Sequence, residues 1–203
     1  MKNQVVIISG GETFETYEQY LSFLKDFKVD FDYFEEQFEK KGWKDSLEDK
    51  LGDKFEVIRL RMPNRENAKY SEWKIWFEKF FPFFNGEIIL IGHSLGGIFL
   101  AKYLSENDFS KKIKGVFLIA APFDSADSEY NLADFSLPDD LSKFMKQGNK
   151  IYLYHSQDDP IVPFVDLRKY KKQLPGAEAV IFNDREHFNQ EEFPEIVEEI
   201  KKL

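Results

Sequence analysis

The amino-acid sequence predicts an α/β fold built on a mostly parallel sheet of about six strands with helices on both faces. Short runs of almost purely apolar residues alternate along the chain with longer segments whose apolar residues recur every three or four positions. Unbroken apolar runs are typical of strands buried on both faces of a parallel sheet, and the helical segments between them fit βαβ crossovers. In this architecture the functional residues are expected at the carboxyl ends of the strands.

Six apolar runs are predicted to be the strands. They are rich in β-branched and aromatic residues, and glycine, proline or asparagine follows most of them within a few positions, as expected where strands end. The runs cover residues 5–8, 55–60, 87–91, 115–121, 150–155 and 179–182.

Helical periodicity marks most of the segments between the strands. Gly52 and Pro82 stop two of the predicted helices, because glycine and proline favour helix ends over helix interiors. The predicted helices cover residues 43–51, 71–81, 95 to 105 or 106, 139–147, 164–174 and 193–203. With 42 % hydrophobic residues in 203, we expect a single domain over residues 1–203.

An aromatic-rich helical insertion is predicted at about residues 13–41. Apolar residues recur there at spacings of three and four among acids and lysines, which is the pattern of amphipathic helices. They are Tyr17, Tyr20, Leu21, Leu24, Phe27, Phe31, Phe34 and Phe38. A periodic apolar face is normally buried against the fold, so we favour a core-facing role for this segment over a lid.

The sequence Gly92-His93-Ser94-Leu95-Gly96 follows the third predicted strand and precedes a predicted helix. It matches the G-x-S-x-G nucleophile elbow, a sharp strand-to-helix turn that raises one serine above the sheet edge. The turn brings the residues two before and two after the serine close together, where only glycine fits. The N–H groups that begin the next helix favour negative charge near Ser94.

A serine nucleophile needs a base, and the base needs an orienting acid. Asp158 and Asp159 lie just past the fifth predicted strand, and His187 lies just past the sixth. Since Ser94 also follows a strand, all of these residues are expected at one edge of the sheet. One of the two aspartates is expected to form only a turn or helix cap, positions that aspartate favours.

Three motif blocks resemble those of the α/β-hydrolase superfamily: residues 92–97, residues 158–164 and the pair His187-Phe188. Within that superfamily, the short chain and the sequence after His187 are similar to the small serine hydrolases of the retinoblastoma-binding-protein and YdeN type. The resemblance covers about residues 55–203 and the first strand. It implies a serine hydrolase with the superfamily's fold.

The resemblance also implies roles for individual residues. Ser94 would be the nucleophile, His187 the base and Asp159 the acid, with Asp158 as the fallback, because the superfamily's acid usually directly precedes the proline. The oxyanion hole would take one N–H from Leu95 and one from the loop after the first strand. That loop reads Ser-Gly-Gly-Glu, so the second donor is Gly11, with Glu12 as the alternative.

The composition argues against several other classes of function. A formal charge of −9, from 37 acidic and 28 basic residues, disfavours nucleic acid or an anionic membrane as the main partner. The sequence contains no cysteine, which excludes thiolate chemistry and fits a reducing cytoplasm. The chain enters a strand-like run at once and has no membrane-length apolar stretch, so we expect a cytoplasmic protein without a signal peptide.

The function predicted from these observations is hydrolysis of a carboxylic ester, or as a less favoured reaction of an amide or thioester, through an acyl-serine intermediate. The expected partner is a small-molecule ester or acyl substrate. No cofactor is implied, and three dispersed histidines without an H-E-x-x-H motif predict no metal. The alternative is a catalytically idle interaction protein with the same fold, since fold does not fix function. The sequence makes no prediction of oligomeric state.

Overall fold

The computed structural model describes residues 2–29, 42–126 and 131–203, which form one six-stranded sheet. The strands are β1 (Asn3–Ile8), β2 (Phe55–Leu60), β3 (Glu87–His93), β4 (Lys112–Ile119), β5 (Lys150–Ser156) and β6 (Glu178–Phe182). They lie in the order β2-β1-β3-β4-β5-β6, and every pair of neighbours is parallel. The predicted parallel sheet of six strands is confirmed.

Seven α-helices lie in the described ranges. They are α1 (Tyr17–Asp26), α2 (Trp43–Leu51), α3 (Tyr70–Glu78), α4 (Leu95–Glu106), α5 (Ser142–Gln147), α6 (Val165–Gln173) and α7 (Pro194–Lys201). Short 3-10 turns add Arg65–Asn67, Phe81–Phe83 and Ala133–Phe135. None of these helices is long and apolar enough to cross a membrane.

Different helices cover the two faces of the sheet, because side chains alternate between the faces along each strand. On one face, Val6 and Ile8 of β1 join a core cluster with residues of α3, α4, α5 and α6. On the other face, Val5 and Ile7 join a cluster with residues of α2 and α7. All four side chains are at most 1 % exposed, so the prediction of helices on both faces is confirmed.

The point where the strand order reverses lies between β1 and β3. From β1 the chain adds β2 on one side and then returns to add β3 and all later strands on the other. The two strands pair in register from Gln4 opposite Ile88 to Ile8 opposite Gly92. The loops that follow them therefore leave the sheet side by side, at the crevice where parallel α/β sheets bind ligands.

The expectation that the aromatic insertion faces the core is wrong for the part that the structure describes. Helix α1 buries none of its residues, and Tyr17 and Leu24 are 61 % and 47 % exposed. Its rings pack on one another instead, with the centroid of Phe14 lying 5.2 Å from that of Phe23. The spacing specifies a helix with an apolar stripe, but it does not specify which surface that stripe contacts. The predicted members Phe31, Phe34 and Phe38 lie outside the described residues.

Replacing Phe77 by alanine tests the packing of the core cluster beneath α3 and α4. Phe77 is fully buried, and its ring centroid lies 5.2 Å from that of Tyr103 and 5.5 Å from that of Phe99. We expect Phe77→Ala to lower the free energy of unfolding by about 3–5 kcal/mol, because it removes buried apolar surface and leaves a cavity. Denaturant unfolding followed by circular dichroism measures the change.

The control for this measurement is Phe83→Ala. Phe83 is 73 % exposed, so its removal should change the free energy of unfolding by less than about 0.5 kcal/mol. Equal losses in the two variants would contradict the packing described for Phe77.

Candidate active site

Ser94 occupies a strained turn between the end of β3 and the start of α4. Its backbone has φ 55° and ψ −127°, a conformation that non-glycine residues rarely adopt and that costs about 1–3 kcal/mol. Its N–H donates to the carbonyl of Ile119 in β4 over 2.8 Å, which fixes the turn to the neighbouring strand. Ser94 is thus held at the carboxyl end of the central strands.

The glycines around Ser94 permit a close approach of three backbone segments. A Cβ on Gly92 would overlap the carbonyl oxygen of Gly96, and a Cβ on Gly96 would overlap the carbonyl oxygen of Ile8. A Cβ on Gly10 would lie 2.9 Å from Cβ and 3.2 Å from Oγ of Ser94. The loop after β1 therefore passes directly against the serine side chain.

His187 is hydrogen-bonded to one of the two candidate aspartates. Its Nδ1 lies 2.9 Å from Oδ2 and 3.1 Å from Oδ1 of Asp159. An ionised carboxylate only accepts, so Nδ1 carries the proton and Nε2 is left as an acceptor. The Asp159 side chain is fully buried, and its Oδ1 also accepts the N–H groups of Ile161 and Val162 over 2.8 and 2.9 Å.

The other aspartate, Asp158, binds the backbone of the segment that carries His187. Its Oδ1 accepts the hydroxyl of Ser156 over 2.5 Å and the N–H of Glu186 over 3.0 Å. The hydrogen bond from Ser156 is the main cause that lowers the pKa of Asp158. The two adjacent aspartates thus contact different parts of one loop. Asp159 contacts the imidazole of His187, and Asp158 contacts the main chain at Glu186.

The loop around His187 is strained and is fixed by hydrogen bonds to its carbonyl groups. Glu186 and Phe188 have φ values of 44° and 56°, which non-glycine residues adopt only when their surroundings enforce it. The indole N–H of Trp43 donates to the carbonyl of Phe188 over 2.9 Å. The Nε2 of His93 lies 2.7 Å from the carbonyl oxygen of His187.

His93 connects this loop to a half-buried lysine. Its Nδ1 lies 2.9 Å from Nζ of Lys44, so Nδ1 accepts from the amine and Nε2–H donates to the carbonyl of His187. Burial and the neighbouring Lys44 keep the pKa of His93 well below its ordinary value. Burial, and next the positive charges of Arg65 and Arg59, lower the pKa of Lys44 to about 7.

Ser94 and His187 line one cavity of about 590 Å³. The wall of this cavity includes the loop after β1, the start of α2 and the basic side chains of Lys44, Arg59 and Arg65. Among the described residues, no hydrogen bond joins Oγ of Ser94 to His187. Catalytic hydrogen bonds are often long without substrate and tighten when it binds, so this separation is compatible with a nucleophile and base pair.

The predicted oxyanion donors lie around a smaller adjoining void of about 70 Å³, which Gly11, Ser94 and Leu95 line together. Leu95 is the first residue of α4, so its N–H has no partner within the helix. The N–H of Glu12 donates to the carbonyl of Arg65 over 2.7 Å and is occupied. Of the two alternatives in this loop, the geometry favours Gly11.

Two contributions to the site escaped the sequence analysis. In the sequence, Trp43 and Lys44 only begin a predicted helix, and Arg65 lies outside the predicted strands and helices. No local motif marks such residues, because their partners lie far away in sequence.

Within the described ranges, no three His, Asp or Glu side chains are grouped so that they could bind a metal ion.

The chain is similar to known serine hydrolases. Residues 36–203 match the family model described as serine hydrolase. The protein named serine hydrolase RBBP9 from Rattus norvegicus is 28 % identical over 157 residues, covering 73 % of this chain and 78 % of that protein. Its similarity supports the resemblance that the three motif blocks carry, and that resemblance is confirmed.

Solved structures share the fold. The ydeN gene product from B. subtilis has a TM-score of 0.77 at 19 % identity, covering 99 % of this chain and 98 % of its own. Est1E from Butyrivibrio proteoclasticus has a TM-score of 0.60 at 14 % identity, covering 99 % and 86 % of the two chains. The α/β-hydrolase fold predicted from the sequence is confirmed.

Replacing Trp43 by phenylalanine tests the bond that holds the His187 loop. Trp43 is 2 % exposed, and the substitution leaves the carbonyl of Phe188 without its donor. We expect the free energy of unfolding to fall by about 1–3 kcal/mol, measured by denaturant unfolding. Trp76→Phe is the control, because Trp76 also donates to a carbonyl, that of Arg61, but is 43 % exposed. A larger loss in the control would contradict this role of Trp43.

The buried amine of Lys44 predicts a pH dependence of stability. Its pKa is about 7 in the folded protein, whereas an unfolded lysine has a pKa of about 10.4. Between these values the unfolded state binds more protons at Lys44, so the free energy of unfolding should rise from about pH 7.5 to about pH 9.5. Denaturant unfolding at several pH values measures the rise.

The rise in stability should be smaller in Lys44→Met. Lys50→Met is the control, since Lys50 pairs with Glu192 on the surface and should keep the wild-type slope. Parallel curves for the wild type and Lys44→Met would contradict the lowered pKa of Lys44.

Proposed function

Because the chain belongs to the serine hydrolase family, we propose that it cleaves a carboxylic ester through an acyl-serine intermediate on Ser94. One observation supports the more specific proposal of a catalytic serine, histidine and aspartate. Nδ1 of His187 donates a hydrogen bond to the buried carboxylate of Asp159, and His187 lines the same cavity as the strained Ser94. A serine, an acceptor nitrogen and an orienting acid in this arrangement support nucleophilic acyl transfer.

In the proposed reaction, Nε2 of His187 takes the proton of Ser94 while Oγ attacks the carbonyl carbon of the ester. Asp159 keeps the imidazole in the required tautomer and stabilises the imidazolium. The imidazolium then gives its proton to the leaving alkoxide as the tetrahedral intermediate collapses to the acyl-serine. Water deprotonated by His187 attacks the acyl group, and the proton returns to Ser94 as the carboxylic acid leaves.

The negative charge on the carbonyl oxygen needs two hydrogen-bond donors. We assign them to the N–H groups of Leu95 and Gly11, which line a void beside Ser94. The start of α4 adds the positive end of the helix dipole at this position. Removal of such a donor from other serine hydrolases lowers kcat by about 100–1,000-fold, so the assignment accounts for a large part of the expected catalysis.

Asp159 is proposed as the acid in place of Asp158 because only its carboxylate contacts the imidazole. The contacts of Asp158 with Ser156 and Glu186 support a positioning role for it. Amide and thioester cleavage use the same residues and remain less favoured reactions of this site.

The alternative function is that of an interaction protein with an idle site. The exposed apolar residues of α1 favour it, since Tyr17 and Leu24 present apolar surface to solvent. The hydrogen-bonded pair of His187 and Asp159 favours catalysis.

The expected location remains the cytoplasm, because the sequence contains no cysteine.

Labelling with a fluorophosphonate tests the proposed function. We expect one covalent adduct on the wild type, detected by intact-protein mass spectrometry, and none on Ser94→Ala. Asp159→Asn should slow labelling by about 1,000–10,000-fold, because an amide at this position favours the wrong imidazole tautomer.

Asp158→Asn is the matched control for the acid. It keeps an accepting oxygen for Ser156 and Glu186, so its effect should stay under about tenfold. An adduct that persists in Ser94→Ala would disprove the nucleophile, and a stronger effect in Asp158→Asn than in Asp159→Asn would disprove the acid. Folded wild-type protein that forms no adduct would favour the interaction protein.

A further inference from the structure

We propose that the substrate carries an anionic group, a carboxylate or a phosphate, which Arg65 and Lys44 bind beside Ser94. This inference rests on the proposed function and adds a substrate class to it. It starts from the charges in the wall of the 590 Å³ cavity, which include two basic side chains that form no ion pair with any residue the structure describes.

The guanidinium of Arg65 has N–H groups that can bind a ligand. Its Nε donates to the carbonyl of Gly10 over 2.9 Å. Within the described residues, its two terminal nitrogens bond to no other group, and no carboxylate lies within 4 Å of the guanidinium. A guanidinium offers two parallel N–H groups that match the oxygens of a carboxylate or phosphate.

Lys44 forms no close ion pair among the described residues, and the charge of Asp45, which Arg59 pairs, is the smallest of the influences on the pKa of its amine. Its Nζ contacts Nδ1 of His93, and no carboxylate of the described residues lies within 4 Å of it. Arg65 is close enough to Lys44 for its charge to lower the pKa of the amine, second only to burial. Two positive groups therefore face one cavity and repel each other. An anion between them would remove that repulsion and favour the protonated amine.

The arrangement differs from that of the third basic residue in the cavity wall. Arg59 forms an ion pair with Asp45, which also lines the cavity, so their charges offset each other. Glu12 and Glu66 line the cavity as well, but in the parts of the chain that the structure describes neither carboxylate lies within 4 Å of the Lys44 amine or the Arg65 guanidinium. Burial raises the pKa of Glu12.

Arg65 and Lys44 each bind a residue that adjoins Ser94. Arg65 holds Gly10, whose backbone lies against Oγ of Ser94. Lys44 holds His93, the residue directly before Ser94. A ligand whose anionic group reached these two side chains would therefore place a nearby ester at Ser94. This geometry favours an ester with a short spacer between the anionic group and the scissile carbonyl.

A pair of matched esters tests the proposal. 4-Nitrophenyl butyrate is neutral, and mono-(4-nitrophenyl) glutarate adds a terminal carboxylate to an acyl chain of nearly equal length. We expect the wild type to prefer the anionic ester by about 10–100-fold in kcat/KM, as for hydrogen bonds to charged groups. Arg65→Gln and Lys44→Met should each reduce this preference at least severalfold, mainly through KM.

The ratio of the two esters isolates charge recognition from damage to the site. Both variants lose a contact near Ser94, but that loss lowers the rates for both esters alike. Arg65→Lys should keep part of the preference, because it keeps the charge. Arg168→Gln is the control, since Arg168 is an exposed arginine outside the wall of this cavity, and its ratio should equal that of the wild type.

Competition identifies the anion. If glutarate inhibits hydrolysis of the butyrate ester, the anionic group is a carboxylate. If inorganic phosphate inhibits it, the group is a phosphate. Either result supports the proposal when Arg65→Gln abolishes the inhibition. Equal kcat/KM for the two esters in the wild type and in Arg65→Gln, without competition by either anion, would overturn it. That result leaves the proposed esterase activity intact.

A binding measurement covers the case in which neither ester is hydrolysed and no fluorophosphonate adduct forms. Calorimetric titration of Ser94→Ala with glutarate and with phosphate needs no catalysis. Binding that is lost in the double variant Ser94→Ala, Arg65→Gln would support the anion site although the esterase activity had failed. Absence of binding of both anions would overturn the anion site as well.

Discussion

The fit between glycine backbone segments at the carboxyl end of β3 is the constraint on which the rest of the site depends. Gly96 at the start of α4 lies against the carbonyl of Ile8, and Gly92 lies against Gly96, at distances that leave no room for a Cβ. The strained turn at Ser94 is possible only because these positions carry no Cβ. The hydrogen bond from Ser94 to β4, in a fully packed sheet, supplies the surroundings that maintain such strain.

The loop that carries His187 also has a strained backbone, and hydrogen bonds to other parts of the chain maintain it. It lies beyond the edge strand β6 and has left-handed residues on both sides of the histidine. Hydrogen bonds with three other parts of the chain fix it: Trp43 of α2 and His93 of β3 donate to its carbonyl groups, and Asp158 after β5 accepts the N–H of Glu186. Because each of these contacts reaches the main chain, none of them occupies Nε2 of the buried imidazole.

The basic wall of the cavity is tied to the same network. Lys44 reaches the loop of His187 through His93, and Arg65 reaches the loop beside Ser94 through Gly10. Charge that binds an anionic substrate would thus act on both loops of the site. The cavity wall carries as many acidic as basic side chains, so a preference for anions would come from the placement of Lys44 and Arg65 and not from a net positive charge.

Sequence by itself determined the sheet, most helices and the family, and it named a short list of candidate site residues. Strand and helix periods, glycine spacing and the order of serine, acid and histidine are local patterns, so they can be read without coordinates. Tertiary structure alone decided which aspartate contacts His187, since Asp158 and Asp159 are chemically identical neighbours whose directions differ. It also decided the exposure of α1 and the partners of Lys44 and Arg65, because burial and ion pairing depend on residues that lie far apart in the chain.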